Sequence, residues 1–208
     1  MRTTTLIISL ISFSLSLRAG HPNEESKNTD LKRWKSGFIV TLQGDTVKGS
    51  IKVNDFLDTY YDFQHMLSFR DSRGTTQYSP NDLASYSYHD QNNTVTMQSV
   101  SSPEGDGRVF LRLYYSGGCK VYGYVVTEMK GANGDISGSG MLRSSLIPNE
   151  KKYLQVGGSQ FYQLKRIGFK KSMEDAFASC PRILSGLAAR TYTYDNLQAL
   201  VQDYNGLK

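Results

Sequence analysis

The stretch GFIVTLQGDTVKGSIKV, Gly37–Val53, decides the fold class. Phe38, Val40 and Leu42 alternate with Ile39 and Thr41. After Gln43-Gly44-Asp45-Thr46, a second alternation sets Val47, Gly49, Ile51 and Val53 on one face. Successive side chains of a strand point to opposite faces, so two such runs around a Gly-Asp loop predict a β-hairpin. Gly49, inside the second strand, predicts a bulge or a closely approaching neighbouring backbone.

Short runs of the same kind continue downstream. Residues 66–71 precede the turn Ser72-Arg73-Gly74, and Ser79-Pro80-Asn81-Asp82-Leu83 reads as one helical turn with Ser79 as its cap. Residues 84–89 present Tyr86 and Tyr88 outward, and residues 94–100 follow the turn Asp90-Gln91-Asn92-Asn93. Val109, Leu111, Leu113 and Tyr115 alternate, and Gly117-Gly118 separates them from a strand over 120–128. Strands this close in sequence pair antiparallel, because parallel strands need long crossovers. Residues 130–145, KGANGDISGSGMLRSS, predict a surface loop. A last hairpin is expected from residues 153–156 and 161–165 around Gly157-Gly158-Ser159.

The period changes after Phe169. Met173, Ala176, Phe177 and Cys180 fall on one face of a helix, with Ser172 and Asp175 as a capping-box-like start. Pro181 opens a second helix carrying Ile183, Leu184 and Leu187. A third follows Thr193, with Leu197, Leu200, Val201 and Tyr204 on one face and Asn205-Gly206 as its stop. The expected architecture is α+β: an antiparallel sheet over residues 37–168, strong curl being one option, followed by about three C-terminal helices over 169–208 docked on it. A transmembrane barrel closes strand to strand, and short strands ending in amphipathic helices do not fit that pattern.

The N-terminus speaks to compartment. Arg2, the apolar run Leu6–Leu17 and the small residues Ala19 and Gly20 have the order of an export signal over 1–19. The run falls well short of the roughly 20 residues that span a bilayer, so no transmembrane span is expected in the mature chain. Residues 20–36 are polar and predict a flexible mature N-terminus. Export to the periplasm, the outer surface or the exterior follows.

The formal charge is +5, and Arg2 and Arg18 in the acid-free leader leave 5 − 2 = +3 on the remainder. That charge is too modest and too dispersed to predict nucleic acid as a partner. Cys119 and Cys180 are the only cysteines. Export permits a disulfide between them, while two buried thiols are an equal option.

Catalytic patterns are sparse. His21, His65 and His89 are the only histidines, and a zinc site from His65, His89 and Asp62 or Asp90 would be chemically reasonable, but no HExxH, HxH or paired-cysteine spacing supports it. Cys119, after Gly117-Gly118, could be a nucleophile with His65 or His89 as base. A strand thiol behind a glycine turn is the plainer reading. Asp55, Asp58, Asp62 and Glu104 form no inferable pair for glycoside hydrolysis, and Gly131–Gly140 lacks the lysine of a phosphate loop. No catalytic residue, metal or cofactor is therefore assigned. Fourteen tyrosines are many for this length. Tyr86, Tyr88, Tyr122 and Tyr124 are the candidate ligand-binding set, because tyrosines exposed together can stack on sugars. Tyrosine also favours half-buried sheet positions for purely structural reasons.

Four pieces together resemble small exported proteins of Bacteroidota-type bacteria. They are the hairpin Gly37 to Ile51, the turn Ser79-Pro80-Asn81-Asp82-Leu83, the hairpin Tyr153-Leu154 to Phe161, and the tail Cys180-Pro181 to Asp203-Tyr204-Asn205. That family carries no assigned activity, so the resemblance implies export and an envelope setting and transfers no catalytic residue. The functional expectation is a non-enzymatic exported envelope protein with a binding or structural role. An envelope protein or a glycan is the candidate partner. A hydrolase using Cys119 or a His65/His89 metal site, and a carbohydrate-binding module using strand tyrosines, are the alternatives.

Overall fold

The computed structural model describes residues 34–53, 60–105, 107–130, 145–158 and 160–206. The expected leader 1–19, nearly all of 20–36 and most of the expected glycine-rich loop lie outside the described residues. Ten strands, β1 (Trp34–Thr41), β2 (Thr46–Lys52), β3 (Leu67–Asp71), β4 (Gly74–Tyr78), β5 (Leu83–Asp90), β6 (Asn93–Ser101), β7 (Arg108–Tyr115), β8 (Cys119–Lys130), β9 (Ser145–Val156) and β10 (Phe161–Leu164), form one antiparallel sheet. Their order is β10-β9-β8-β7-β6-β5-β1-β2-β3-β4, so the sheet is open, with β10 and β4 at its edges. Helix α1 (Tyr60–His65) joins β2 to β3. Helices α2 (Phe169–Ala176), α3 (Pro181–Ala188) and α4 (Leu197–Asn205) close the chain, with a 3₁₀ turn at Tyr194–Asn196 before the last. A large antiparallel sheet with a few, mostly C-terminal, helices is the observed architecture.

The opening hairpin forms in the expected register, Ile39 opposite Val47 and Gly37 opposite Gly49. Gly49 shows the close approach and no bulge: a Cβ there would stand 2.4 Å from the Arg70 carbonyl and from the Phe69 ring. β1 starts at Trp34, earlier than expected, where the Arg70 guanidinium stacks 3.9 Å from the Trp34 ring.

One register row crosses most of the sheet: Val47, Ile39, Tyr86, Met97, Arg112, Gly123, Lys152, Leu164. Paired residues share a face. This inner face is therefore apolar on β2, β1, β5 and β6, polar at Arg112-Gly123-Lys152, and apolar again at β10. Two cores flank the polar step. The first holds Ile39, Ile51, Leu67, Phe69, Tyr86, Met97 and Phe110. The second packs Cys119, Val121, Leu154 and Leu164 against Phe169, Met173, Phe177, Ile183, Leu187, Leu200 and Val201 of the C-terminal helices. On the outer face Val109, Leu111 and Tyr122 make a smaller cluster.

Several local expectations need correction. α2 begins at Phe169 with Gly168 as its N-cap, so Ser172 lies inside the helix and caps nothing. Burying Phe169, 6 % exposed, requires that earlier start. β9 begins at Ser145, eight residues before the expected strand, because it pairs along β8 as far as Lys130–Ser145. Pro148 is tolerated there because β10 reaches only Lys152 and leaves that edge of β9 open. β4 was not expected at all: its Thr75, Thr76 and Gln77 are exposed and show no apolar alternation.

The C-terminal helices are held by their apolar stripe and by Asn205. Its Oδ1 accepts from the Cys119 backbone N–H at 2.8 Å, and its Nδ2 donates to the carbonyls of Ser116 and Cys119. Helices this short are marginal alone in water, so docking supplies their stability. Phe177 is 1 % exposed, and Phe177→Ala is expected to cost about 3–5 kcal/mol in urea unfolding. A loss below about 1 kcal/mol would show that these helices contribute little to the sheet's stability.

Candidate functional site

β7 and β8 pair only from Tyr115–Val121 to Arg112–Gly123, whereas β8 stays paired with β9 to its end. Beyond Gly123 the side of β8 that faced β7 is therefore open, and α1 fills the gap. Gln64, 2 % exposed, donates from Nε2 to the Val125 carbonyl at 2.8 Å and accepts from the Val125 N–H at 2.7 Å. A primary amide carries one donor group and one acceptor, so this side chain stands in for the missing strand. The Tyr86 hydroxyl donates to the Phe63 carbonyl at 3.2 Å and ties the same helix to β5.

Between α1 and the inner face lies a cavity of about 200 Å³. It is lined by apolar Val53, Phe63, Val95, Met97 and Val125, by Gln64, Tyr86, Tyr88 and Gly123, and by the charged Asp90, Arg112 and Glu150. The charged groups come from the polar step of the register row and its neighbours. A Cβ on Gly123 would lie 2.4 Å from Glu150 Oε1 and 2.8 Å from the Tyr114 ring, so a larger residue there would push the carboxylate or the ring from its place. The Tyr114 hydroxyl lies 2.7 and 2.8 Å from the two Glu150 oxygens and donates to that carboxylate. The Arg112 guanidinium stacks 4.9 Å from the centre of the Tyr114 ring. Asp90 lies 3.4 Å from the Lys35 ammonium. Arg112 and Glu150 thus reach one cavity while Tyr114 holds both, and no salt bridge between them occurs among the described residues.

The four candidate tyrosines do not form one platform. Tyr86, 1 % exposed, packs edge-on against Phe110 at 5.0 Å, and burial raises its hydroxyl well above the usual range. Tyr88 is half-buried on the same inner face. Tyr122 is fully buried on the outer face, where its hydroxyl donates to Gln98 at 2.9 Å and burial pushes it up to about 12. Tyr124 is half-buried beside Tyr153, also on the outer face. The expected outward direction of Tyr86 is therefore wrong: its register with Ile39 and Met97 turns it inward. The structure brings Tyr86 and Tyr88 together on the cavity wall and leaves Tyr122 and Tyr124 apart from them.

Cys119 and Cys180 are both free thiols, Cys119 fully buried in the second core and Cys180 packed against it. Burial pushes the Cys119 thiol up to about 12. His65 ends α1, and His89 lies 3.2 Å from the Thr94 hydroxyl on the exposed β5–β6 hairpin. Among the described residues no three His, Cys, Asp or Glu side chains gather as metal ligands. His21, Asp55 and Asp58 lie outside the described residues.

Glu104 of the β6–β7 loop receives Lys151 at 2.8 Å and the Tyr153 hydroxyl. Burial works to raise its carboxyl, but those hydrogen bonds and the charges of Lys151 and Lys165 outweigh it and hold the group below its usual value. This cluster fastens a loop to the outer face.

Sequence reasoning did not single out Gln64, Arg112 or Glu150, and Tyr114 stood only among the many strand tyrosines. The one available signal was Gly123 between two strand tyrosines, since an interior strand glycine marks a close approach.

Two measurements follow. Gln64→Ala leaves two Val125 backbone groups without their partner, at about 1–3 kcal/mol for each orphaned buried group. A drop of that size in urea unfolding is expected, and an unchanged midpoint would show that α1 does not complete the sheet. With its thiol near 12, Cys119 should resist thiol reagents in the folded protein at pH 8, with Cys180 modified first. Faster modification of Cys119 would revive it as a nucleophile.

Compared with protein-family models, curated proteins and solved structures, the chain matches none. Its function is therefore read from the geometry of the cavity and from the sequence.

Proposed function

We propose that this chain is a non-enzymatic exported protein of the bacterial envelope that binds a small molecule in the cavity between α1 and the β7–β8 split. The cavity is the observation that carries the reading. It is concave, lined in nearly equal part by apolar and polar surface, and its polar groups converge on an apolar floor, an arrangement that can orient a small ligand. The signal-like residues Arg2 to Gly20 and the four-part resemblance to exported proteins support the compartment. The register of the sheet favours a cavity ligand over stacking of a glycan on strand tyrosines. The Cys119 environment, which disfavours the thiolate, weighs against the hydrolase alternative.

A strongly curled sheet belongs to the same proposal. α1 reaches β3 as well as β7 and β8. On a flat sheet β3 and β8 would stand six strand spacings apart, about 29 Å, whereas a helix is only about 10–12 Å across. Curl of the β1–β8 portion around α1 reconciles the two and encloses the cavity.

Thermal unfolding of the purified protein against a library of small polar and amphipathic molecules tests the binding role. A ligand at about 100 times its Kd adds about 2.7 kcal/mol, which raises Tm by about 5–10 °C for a domain of this size. Met97→Trp, which fills the cavity, should abolish that rise. A hit that stabilises wild type and Met97→Trp equally would place binding elsewhere. Recovery of the protein from the producing cell in the cytoplasm with residues 1–19 intact would remove the export half of the proposal.

A further inference from the structure

We infer that the ligand is a zwitterionic α-amino acid with an apolar side chain, its carboxylate on Arg112 and its ammonium on Glu150. This deepens the binding reading and rests on it.

Two opposite charges facing one cavity attract each other. Here Tyr114 keeps them apart. Its ring faces the guanidinium and its hydroxyl is committed to Glu150, so each charge keeps capacity for a further partner. Arg offers planar donors matched to a carboxylate, and Glu150 has lone pairs beyond those used by one hydroxyl. Asp90 is offset by Lys35 and adds little net field. A ligand with one charge would engage only one of the two groups, Arg112 on the partly buried side or Glu150 at the exposed mouth. A dipolar head satisfies both.

The remainder of the wall sets the ligand's other end. Val53, Phe63, Val95, Met97 and Val125 present no charge and only aliphatic, thioether or phenyl surface. A cavity of 150 Å³ lined by such groups admits benzene. About 200 Å³ therefore leaves room for a branched aliphatic group or a phenyl ring, with the charged head at the polar step. Larger ligands such as oligosaccharides or lipids exceed that volume.

The test uses matched molecules on the wild-type protein by titration calorimetry. L-Phenylalanine is compared with 3-phenylpropanoate, which lacks the ammonium, and with 2-phenylethylamine, which lacks the carboxylate. L-Leucine, 4-methylpentanoate and 3-methylbutylamine form the aliphatic set. At least one zwitterion should bind, with each half-charged analogue weaker by about 10- to 100-fold, the value of a hydrogen bond to a charged group. Arg112→Met should bring the zwitterion down to the level of its amine, and Glu150→Gln to the level of its acid. Equal binding of an acid or an amine would overturn the assignment, as would failure of both zwitterions. p-Cresol, neutral and of similar size, separates the two levels of the argument. If p-cresol stabilises the wild type and not Met97→Trp while the amino acids do not bind, the ligand class is wrong and the binding site stands. If neither p-cresol nor any member of the two sets binds, both readings fall.

Discussion

The amide of Gln64 is the contact on which the arrangement of this sheet depends. Where β7 leaves β8, a buried N–H and C=O at Val125 would face no partner, and each such group is costly away from water. Gln64 satisfies both from a six-residue helix that could not stand alone in water. The helix in turn is fixed by that pairing and by the Tyr86 hydroxyl on Phe63. A strand in the same place would have filled the space with backbone. A helix holding on through one side chain leaves a hollow beside it.

The polar step Arg112-Gly123-Lys152 belongs to the same design. It interrupts a face that is otherwise apolar from β2 to β10 and divides the interior into two cores. Hydrophobic residues at those positions would have joined the cores and buried more apolar area, at about 25 cal/mol per Å². Sequences that depart from such local consistency tend to do so at functional positions. The second core can afford the interruption because the C-terminal helices close it independently. They present Met173, Phe177, Ile183, Leu187, Leu200 and Val201 to the sheet, and Asn205 locks the last helix to the β7–β8 turn.

Much of this was legible from residue order. The opening hairpin, the antiparallel pairing and the position and inward face of the C-terminal helices all follow from period and punctuation. What was not legible came from pairing across long sequence distance. β4 is a strand because β3 lies beside it, although Thr75, Thr76 and Gln77 show no amphipathic pattern. Residues 146–152, between the expected loop and the expected strand, show no strand pattern until β8 is placed opposite them. Tyr86 and Tyr122 look alike in sequence, each in a strand with a second tyrosine two residues on, at Tyr88 and Tyr124. The register alone sends one to the inner face and the other to the outer. Gln64, Arg112 and Glu150 are separated by 48 and 38 residues in the chain, and nothing local to any of them signals the other two.

The abundance of tyrosine also changes meaning once partners are known. A strand side chain with an apolar ring and a polar tip can be buried only if the hydroxyl finds a partner. Tyr86 finds the Phe63 carbonyl, Tyr122 finds Gln98, Tyr153 finds Glu104, Tyr192 finds Asp203 and Tyr114 finds Glu150. All but the Tyr192 bond tie a strand to an element distant from it in sequence. Tyrosine is therefore the fastener of this sheet, joining pieces that phenylalanine would have packed without orienting. Tyr114 does this with a difference. Its hydroxyl fixes one charge and its ring supports another, so the residue keeps Glu150 and Arg112 from neutralising each other. Phenylalanine at that position would preserve the stack and lose the hydroxyl, freeing Glu150 to swing toward Arg112. The charge separation in the cavity is thus set by one hydroxyl group, and the bulge between Leu113 and Tyr115 is what aims it.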